Sequence, residues 1–152
     1  MSRPIWSGEE NRAESLATLA LQIYDSIAKK IYSDLADAGF PEVRRAHSAV
    51  FRNIEEGGTR ATTLAERAGI AKQSMAYLLE GLEEAGIVEY VPDPSDGRAR
   101  LARLTKRGVE ARKKVVWISR QIEGEYSQKL GEKRFAEIMV GLRELVDAQE
   151  DP

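Results

Sequence analysis

Apolar residues in the first forty positions recur every three or four residues, as they do along one face of an α-helix. From Glu14 onward they are Leu16, Leu19, Ala20, Ile23, Tyr24, Ile27, Ile31 and Leu35. This spacing predicts one long helix that ends near Gly39 and Pro41, two residue types that favour a helix stop. A second helix is predicted over residues 41–55, because proline is well tolerated in the first turn of a helix.

The middle of the chain predicts a helix-turn-helix. The letters "TLAE" have the spacing of a capping box, in which Thr63 and Glu66 bond each other's backbone amides, and Gly69 ends the short helix that follows. Residues 72–85 then place one apolar stripe at helical spacing, formed by Met75, Leu78, Leu79 and Leu82. Two short helices around a tight turn that contains glycine are typical of this motif.

Two short strands are predicted after Gly86. They are "IVEYV" and "ARLARL", and the segment "PDPSDG" between them is rich in turn-forming residues. A helix-turn-helix followed directly by a β-hairpin is a winged helix, so "DPSDGRAR" is assigned to the tip of the wing. The predicted fold class is therefore mostly α with a small β part (α+β).

Two further amphipathic helices are predicted, from Thr105 to about Lys129 and over residues 132–148. Their apolar positions are Val115, Ile118, Ile122, Tyr126, Phe135, Ile138, Met139, Leu142 and Val146, and Trp117 lies nearly opposite the first stripe. One small winged lobe offers these helices little core to cover. We therefore expect the first and last helices to form a bundle between two subunits. A monomer with a self-closed helical subdomain is the alternative.

Composition excludes several kinds of site. The chain has 152 residues, 42% of them hydrophobic and 32% charged, which is typical of a folded globular protein. It has no cysteine and only one histidine, His47, which excludes disulfides, cysteine-based zinc sites and multi-histidine metal sites. Because no nucleophile–base pair, glycine-rich phosphate loop or metal-ligand spacing is present, we expect no catalytic residue, no metal and no cofactor. A metal site formed by carboxylates alone is the alternative, although no spacing supports it.

The sequence also predicts a cytoplasmic protein without a membrane partner. No apolar run approaches the roughly 18 residues that a membrane span needs. The N-terminus "MSRPIWSGEENRAE" is acidic and polar, where a signal peptide would be basic and then apolar.

Charge is distributed unevenly along the chain. The formal net charge is −2, but residues 92–114 contain eight basic and three acidic residues, a local net of +5, so the remainder carries −7. A basic patch in an acidic protein is the pattern expected of phosphate binding. An ordinary solvated helix surface is the alternative for five of these cations, namely Lys106, Arg107, Arg112, Lys113 and Lys114.

Several of these segments carry a family resemblance. Between Thr59 and Gly108, the pieces "LAERAGI" and "LEEAGIVE", and the wing "DPSDGRA" followed by "LTKRG", resemble the MarR family of bacterial winged-helix transcriptional regulators. The resemblance implies a homodimer, most simply a repressor, that binds a pseudo-palindromic operator in double-stranded DNA. Each recognition helix would enter a major groove, and each wing would lie beside the minor groove. A winged-helix module that binds protein is the alternative, although its wing would be expected to be neutral.

With this resemblance, the chain divides into residues 1–40 as a dimerisation helix, 41–104 as the DNA-binding lobe, and 105–152 as linking and dimerisation helices. The N-terminal end of the 72–85 helix is the end that meets base edges in helix-turn-helix docking. There, Gln73 can pair with adenine, and Lys72 can donate to guanine or phosphate. The predicted DNA contacts are Thr62, Thr63, Lys72, Gln73, Ser74, Ala76, Tyr77, Arg98, Arg100, Lys106 and Arg107.

The wing has its own implied roles. Arg98 holds the position that the family uses to reach the minor groove, where the negative potential of narrow A·T tracts attracts a guanidinium. Asp96 is expected to orient the wing by pairing with an arginine. Three positions depart from the family pattern: Tyr77 and Gly97 replace basic residues, and Ala71 replaces a Ser or Thr cap. The smaller number of charges suggests weaker non-specific binding or a narrower choice of operator.

Members of the family often bind a small aromatic or anionic effector in a cleft between the dimer helices and the DNA-binding lobe. The candidate residues are Tyr24, Arg44, His47, Phe51 and Trp117. For each of them, an ordinary packing or surface role is the alternative.

Overall fold

The computed structural model describes residues 15–148. Within that range the elements, in chain order, are α1 (Leu16–Asp37), a 3-10 turn (Arg45–His47), α2 (Ser48–Asn53), α3 (Ala61–Ala68), α4 (Lys72–Glu84), β1 (Val88–Asp93), β2 (Asp96–Leu104), α5 (Lys106–Leu130) and α6 (Glu132–Asp147). The predicted mostly helical winged helix is confirmed. Glu14, where the first helix is predicted to begin, lies outside the described residues. The division of the chain at residues 40 and 104 stays a prediction.

The hydrophobic core lies where α2, α3, α4, the hairpin and the first half of α5 meet. Its largest fully buried side chains are Leu35, Val43, Val50, Leu64, Met75, Leu79, Leu82, Ile87, Val88 and Ile118. The stripe predicted on α4 is buried at three positions and half-buried at Leu78. Burial of this stripe leaves the opposite face of α4 in solvent.

The β-hairpin reaches further into the predicted turn than expected. The strands pair from Val88 with Leu104 to Pro92 with Arg100, and after a shift in register Asp93 pairs with Asp96. The connection is therefore only two residues long. In addition, Thr59 forms a short bridge to Ala102 of β2, with N to O distances of 2.8 and 2.9 Å. This bridge lies on the side of β2 that faces away from β1.

Two predicted helix starts are wrong. The predicted helix over residues 41–55 begins only at Arg45, because the Val43 amide bonds to the Phe40 carbonyl at 3.1 Å and Arg44 is extended. The predicted capping box at Thr63 is not formed, since α3 begins at Ala61 and Thr63 lies inside its first turn. The bridge of the preceding Thr59 to β2 fixes the chain there, so the helix starts as soon as that bridge ends.

The start of α5 packs on the segment that joins α4 to β1. Thr105 accepts the Gly108 amide at 3.1 Å and donates its hydroxyl to the Gly86 carbonyl at 2.6 Å. A Cβ atom at Gly108 would lie 2.1 Å from the Ile87 carbonyl oxygen. Only glycine therefore permits this backbone contact.

The remaining helices leave apolar faces uncovered within one chain. α1 packs on α5, and α5 on α6, but none of the residues of α6 is buried. The large apolar side chains exposed on these three helices are Leu16, Leu19, Leu21, Ile23, Tyr24, Val116, Trp117, Leu130, Ile138, Met139, Val140, Leu142, Leu145 and Val146. Between residues 15 and 148, none of the helices combines the length and apolar character that a membrane crossing requires.

The contact at Gly108 predicts a stability difference between two glycines of the same helix. Gly108→Ala should lower the free energy of unfolding by about 2–3 kcal/mol, because the added methyl group meets rigid backbone. Gly124→Ala is the matched control, since a Cβ atom there meets no described atom within 4 Å. The control should be neutral or stabilising by up to about 1 kcal/mol. Urea unfolding followed by circular dichroism measures both, and equal effects would contradict the proposed contact.

Candidate nucleic-acid interface

The first two turns of α4 carry a row of exposed side chains on the face opposite the buried stripe. The members of this row, called here the recognition row, are Lys72, Gln73, Ser74, Ala76 and Tyr77. Tyr77 is 70% exposed, so a large aromatic ring is held in solvent. The N-cap residue of α4 is Ala71, which provides no side-chain cap, as the sequence predicts. The first-turn amides therefore have no partner from that side chain.

Two threonines predicted to contact DNA lie at the start of α3. Thr62 is exposed, whereas Thr63 is half-buried. In helix-turn-helix docking the first helix crosses the phosphate backbone, and a hydroxyl at its start can donate to phosphate. The placement of Thr62 suits that role better than the placement of Thr63.

The wing presents two arginines in different ways. Arg98 is exposed and has no ion-pair partner among residues 15–148. Arg100 is also exposed, but its guanidinium lies over the Tyr90 ring, 4.5 Å from the centroid. The cation–π contact holds Arg100 along the hairpin, whereas Arg98 extends from its tip.

A carboxylate anchors the base of the wing turn. Asp93 is only 6% exposed, and it accepts the Ser95 amide at 2.8 Å and the Ser95 hydroxyl at 2.7 Å. Arg60, at the start of α3, reaches the same carboxylate at 2.6 Å and Asp96 at 3.6 Å. The Ser95 hydrogen bonds, followed by Arg60, lower the pKa of Asp93 from 3.8 to about 2.

Sequence reasoning missed both Arg60 and Asp93. The spacing of Asp93 and Ser95 is a local signal for an Asx turn, in which the carboxylate accepts the amide two residues on. No comparable signal marks Arg60, because it lies 33 residues from Asp93 in sequence. Asp96 does contact an arginine, but more loosely than Asp93 does.

The predicted basic patch is divided between two parts of the structure. Lys106 and Arg107 follow β2 at its end away from the turn, and a nine-residue strand spans roughly 25–30 Å. Arg107 is already engaged, since it donates to Glu42 at 3.0 Å and to the Gly39 carbonyl at 3.2 Å. These contacts tie α5 to the segment after α1, which is a structural role.

The five candidate effector residues do not share one cavity. Tyr24 and Phe51 line a cavity of about 150 Å³ between α1, α2 and α5, whose other walls include Ile27, Ile31, Tyr32 and Val115. The structure therefore brings together two of the aromatic candidates, and the third, Trp117, lies elsewhere. An arginine, Arg52, also lines this cavity.

The other three candidates lie elsewhere. Arg44 and His47 border a different depression, beside Gly81 of α4. His47 is buried and its Nδ1 accepts the Arg44 amide at 2.9 Å, while burial, followed by the charge of Arg44, lowers its imidazole pKa. Trp117 is 53% exposed on α5, with the Lys114 ammonium 4.2 Å from its ring centroid. Among residues 15–148, no group of three or more acidic or histidine side chains could hold a metal ion.

Comparison with known proteins agrees with this geometry. The model of the MarR family matches residues 43–99, which include the 3-10 turn, the helix-turn-helix and most of the wing. The winged-helix lobe belongs to the MarR family. The comparison with curated proteins gave no match.

Solved structures extend the similarity beyond the lobe. A transcriptional regulator, Tm0710, from Thermotoga maritima is 26% identical with a TM-score of 0.65, over 88% of this chain and 93% of that one. The repressor CouR bound to a 23-mer DNA duplex is 18% identical with a TM-score of 0.68, over 88% and 94%. CouR from Rhodococcus jostii RHA1 bound to p-coumaroyl-CoA is 19% identical with a TM-score of 0.66, over 88% and 92%. The two CouR structures show that the fold is shared.

The anchored carboxylate predicts a pH-dependent contribution to stability. Because the pKa of Asp93 is lower in the folded chain than its ordinary value of 3.8, the ionised carboxylate stabilises the fold at neutral pH. Asp93→Asn should therefore be destabilising at pH 7. Its difference from the wild type should shrink as the pH falls from about 4 towards 2.

Urea titrations of both proteins at several pH values measure this difference. Asp25→Asn is the control, because Asp25 forms an exposed pair with Arg45, and exposed pairs contribute little. A difference between Asp93→Asn and the wild type that stays constant between pH 7 and the acid limit of the fold would contradict the role given to the carboxylate.

Proposed function

We propose that the protein is a sequence-specific DNA-binding transcriptional regulator, acting in the cytoplasm as a homodimeric repressor on a pseudo-palindromic operator. The observation that carries this proposal is the recognition row on α4. It lies on the second helix of the helix-turn-helix in a MarR-family lobe, and a basic wing follows it. We assign no catalytic role to the chain.

The chemistry of the recognition row suits the reading of base edges. The Gln73 amide can form two hydrogen bonds with adenine, and Lys72 can donate to guanine or phosphate. The methyl group of Ala76 can contact a thymine methyl. Only one residue of the row, Lys72, carries a charge. Most contacts made by the row would therefore depend on the base sequence rather than on the charge of the phosphates.

The remaining proposed contacts position the lobe on the duplex. Thr62 and Thr63 would bond phosphate from the start of α3, and Arg98 would enter the minor groove from the wing tip. Arg100, held over Tyr90, would meet the adjacent backbone. Lys106 and Arg107 stay predictions, and the contacts of Arg107 with Glu42 and the Gly39 carbonyl favour a structural role for that residue.

A second copy of the chain is proposed to cover the apolar faces of α1, α5 and α6. An amphipathic helix without a single buried residue needs a partner surface, since exposed apolar patches of this extent mark interaction sites. Two copies related by a two-fold axis would present two recognition rows to one operator. The CouR structure with a DNA duplex supports DNA as the partner of this fold.

For a small effector, we propose the cavity lined by Tyr24 and Phe51. Its walls are aromatic and aliphatic, with Arg52 available for an anionic group. At about 150 Å³ the cavity is smaller than the roughly 300 Å³ of a small ligand site, so an effector would have to enlarge it. Aromatic carboxylates should raise the melting temperature of the wild type but not of Arg52→Ala, which removes the cationic group and leaves the aromatic walls in place. No shift with either protein would count against this site.

Selection of bound sequences from random duplexes tests the proposed function. The wild type should enrich two inverted half-sites, because a dimer presents the same row twice. Gln73→Ala should relax the preference at one base position of each half-site, at a cost of about 1–3 kcal/mol on the wild-type operator. The slope of log K against log salt should hardly change, since Gln73 neutralises no phosphate. Failure of the wild type to enrich any sequence would favour a protein-binding module.

A further inference from the structure

Arg60 links the start of α3 to the wing turn. It occupies the N-cap position of α3, and its side chain extends to the hairpin rather than capping its own helix. Its Nε and Nη2 atoms lie 2.7 and 2.6 Å from Oδ2 of Asp93, and Nη2 also lies 3.6 Å from Oδ2 of Asp96. One guanidinium therefore contacts both carboxylates of the turn.

Each carboxylate uses its other oxygen to shape the turn itself. Oδ1 of Asp93 accepts the Ser95 amide and hydroxyl, and Oδ1 of Asp96 accepts the Arg98 amide at 3.1 Å. Arg60 thus acts on the Oδ2 atoms while the Oδ1 atoms hold the turn backbone. A continuous set of contacts runs from α3 to the backbone of Arg98.

The β-ladder alone does not fix this part of the hairpin. Its register shifts between Pro92 and Asp93, so the regular strand pairing ends before the turn. Proline also has no backbone N–H to donate to the ladder. The side-chain contacts with Arg60 therefore add a direct link between the turn and α3 that the ladder does not provide.

The two partners of the Arg60–Asp93 ion pair differ in their exposure to solvent. Asp93 is nearly covered by the turn and by Arg60, and its hydrogen bonds with Ser95 and Arg60 favour the ionised carboxylate. Arg60 itself is partly exposed, with 40% of its side chain in solvent. The guanidinium is held in place by two short contacts with Oδ2 of Asp93.

We propose that Arg60 is a positioning residue for DNA binding: it fixes the wing turn against α3, so that Arg98 and the recognition row meet the same duplex in one orientation. This inference rests on the proposed function. It assigns to Arg60 an effect on DNA that passes through Arg98, without a phosphate contact of its own.

A double-mutant cycle separates an effect of Arg60 that passes through Arg98 from a direct contact of Arg60 with phosphate. Arg60→Ala should weaken operator binding about fivefold to tenfold, within the range of one groove contact. In an Arg98→Ala background the same change should weaken binding less than about twofold, because residues that act through one contact are not additive. Equal losses in both backgrounds, with a salt slope reduced by about 0.9, would make Arg60 a phosphate ligand and overturn the proposal.

Arg67→Ala is the matched control. Arg67 lies on the same helix and forms an exposed ion pair of 2.7 Å with Glu55, away from the wing. It should bind the operator as the wild type does. Arg60→Lys should recover only part of the loss, since an ammonium lacks the planar fork that reaches both carboxylates.

Amide hydrogen exchange provides a readout without DNA. Arg60→Ala should speed exchange at the Ser95 and Arg98 amides about threefold to tenfold, because their acceptors lose their fixed position. Unchanged exchange at both amides would overturn the proposal. If the wild type enriched no duplex, the proposed function would fail, and exchange would still report whether Arg60 holds the turn.

Discussion

The contact between the start of α5 and the Gly86–Ile87 backbone is the constraint on which the arrangement of the lobe depends. The Thr105 amide donates to the Ile87 carbonyl at 3.0 Å, and the Ile87 amide donates to the Leu82 carbonyl at 2.8 Å. The end of α4, the root of the hairpin and the long helix thus meet at one point. Because Gly108 lies directly on the Ile87 carbonyl, α5 cannot shift at this end without moving the base of the wing.

The charged residues of the wing are also held by contacts between different elements. In a chain with a net charge of −2, the two carboxylates of the turn would repel phosphate if they faced it unpaired. Instead, Asp93 is covered and both carboxylates contact Arg60, while Arg98 stays in solvent. The acidic residues of the wing therefore shape the turn, and Arg98 is left exposed at its tip.

Periodic patterns predicted the long elements well, because a buried stripe at helical spacing depends only on local sequence. The helices α1, α4, α5 and α6 and the hairpin follow from such patterns. The start of α3 could not be predicted in this way, since the bridge of Thr59 to Ala102 overrides the capping signal at Thr63. A contact between residues 43 positions apart leaves no trace in a local window.

In the candidate site, too, local patterns could be predicted from the sequence and contacts between distant elements could not. The exposed row on α4 follows from its buried stripe, so Gln73 and Tyr77 could be named from sequence. Sequence could not predict two ion pairs, Arg60 with Asp93 and Arg107 with Glu42. Each of them joins elements that only the fold brings together. The local net charge of the sequence likewise does not distinguish Arg98, exposed at the wing tip, from Arg107, which contacts the segment after α1.

Hydroxyl-radical footprinting of the selected duplex tests the central claim most directly, that two copies of this lobe read one operator. The account predicts two protected regions related by a two-fold axis and centred about 10 base pairs apart, one for each recognition row. A single protected half-site, or uniform protection along the duplex, would contradict it.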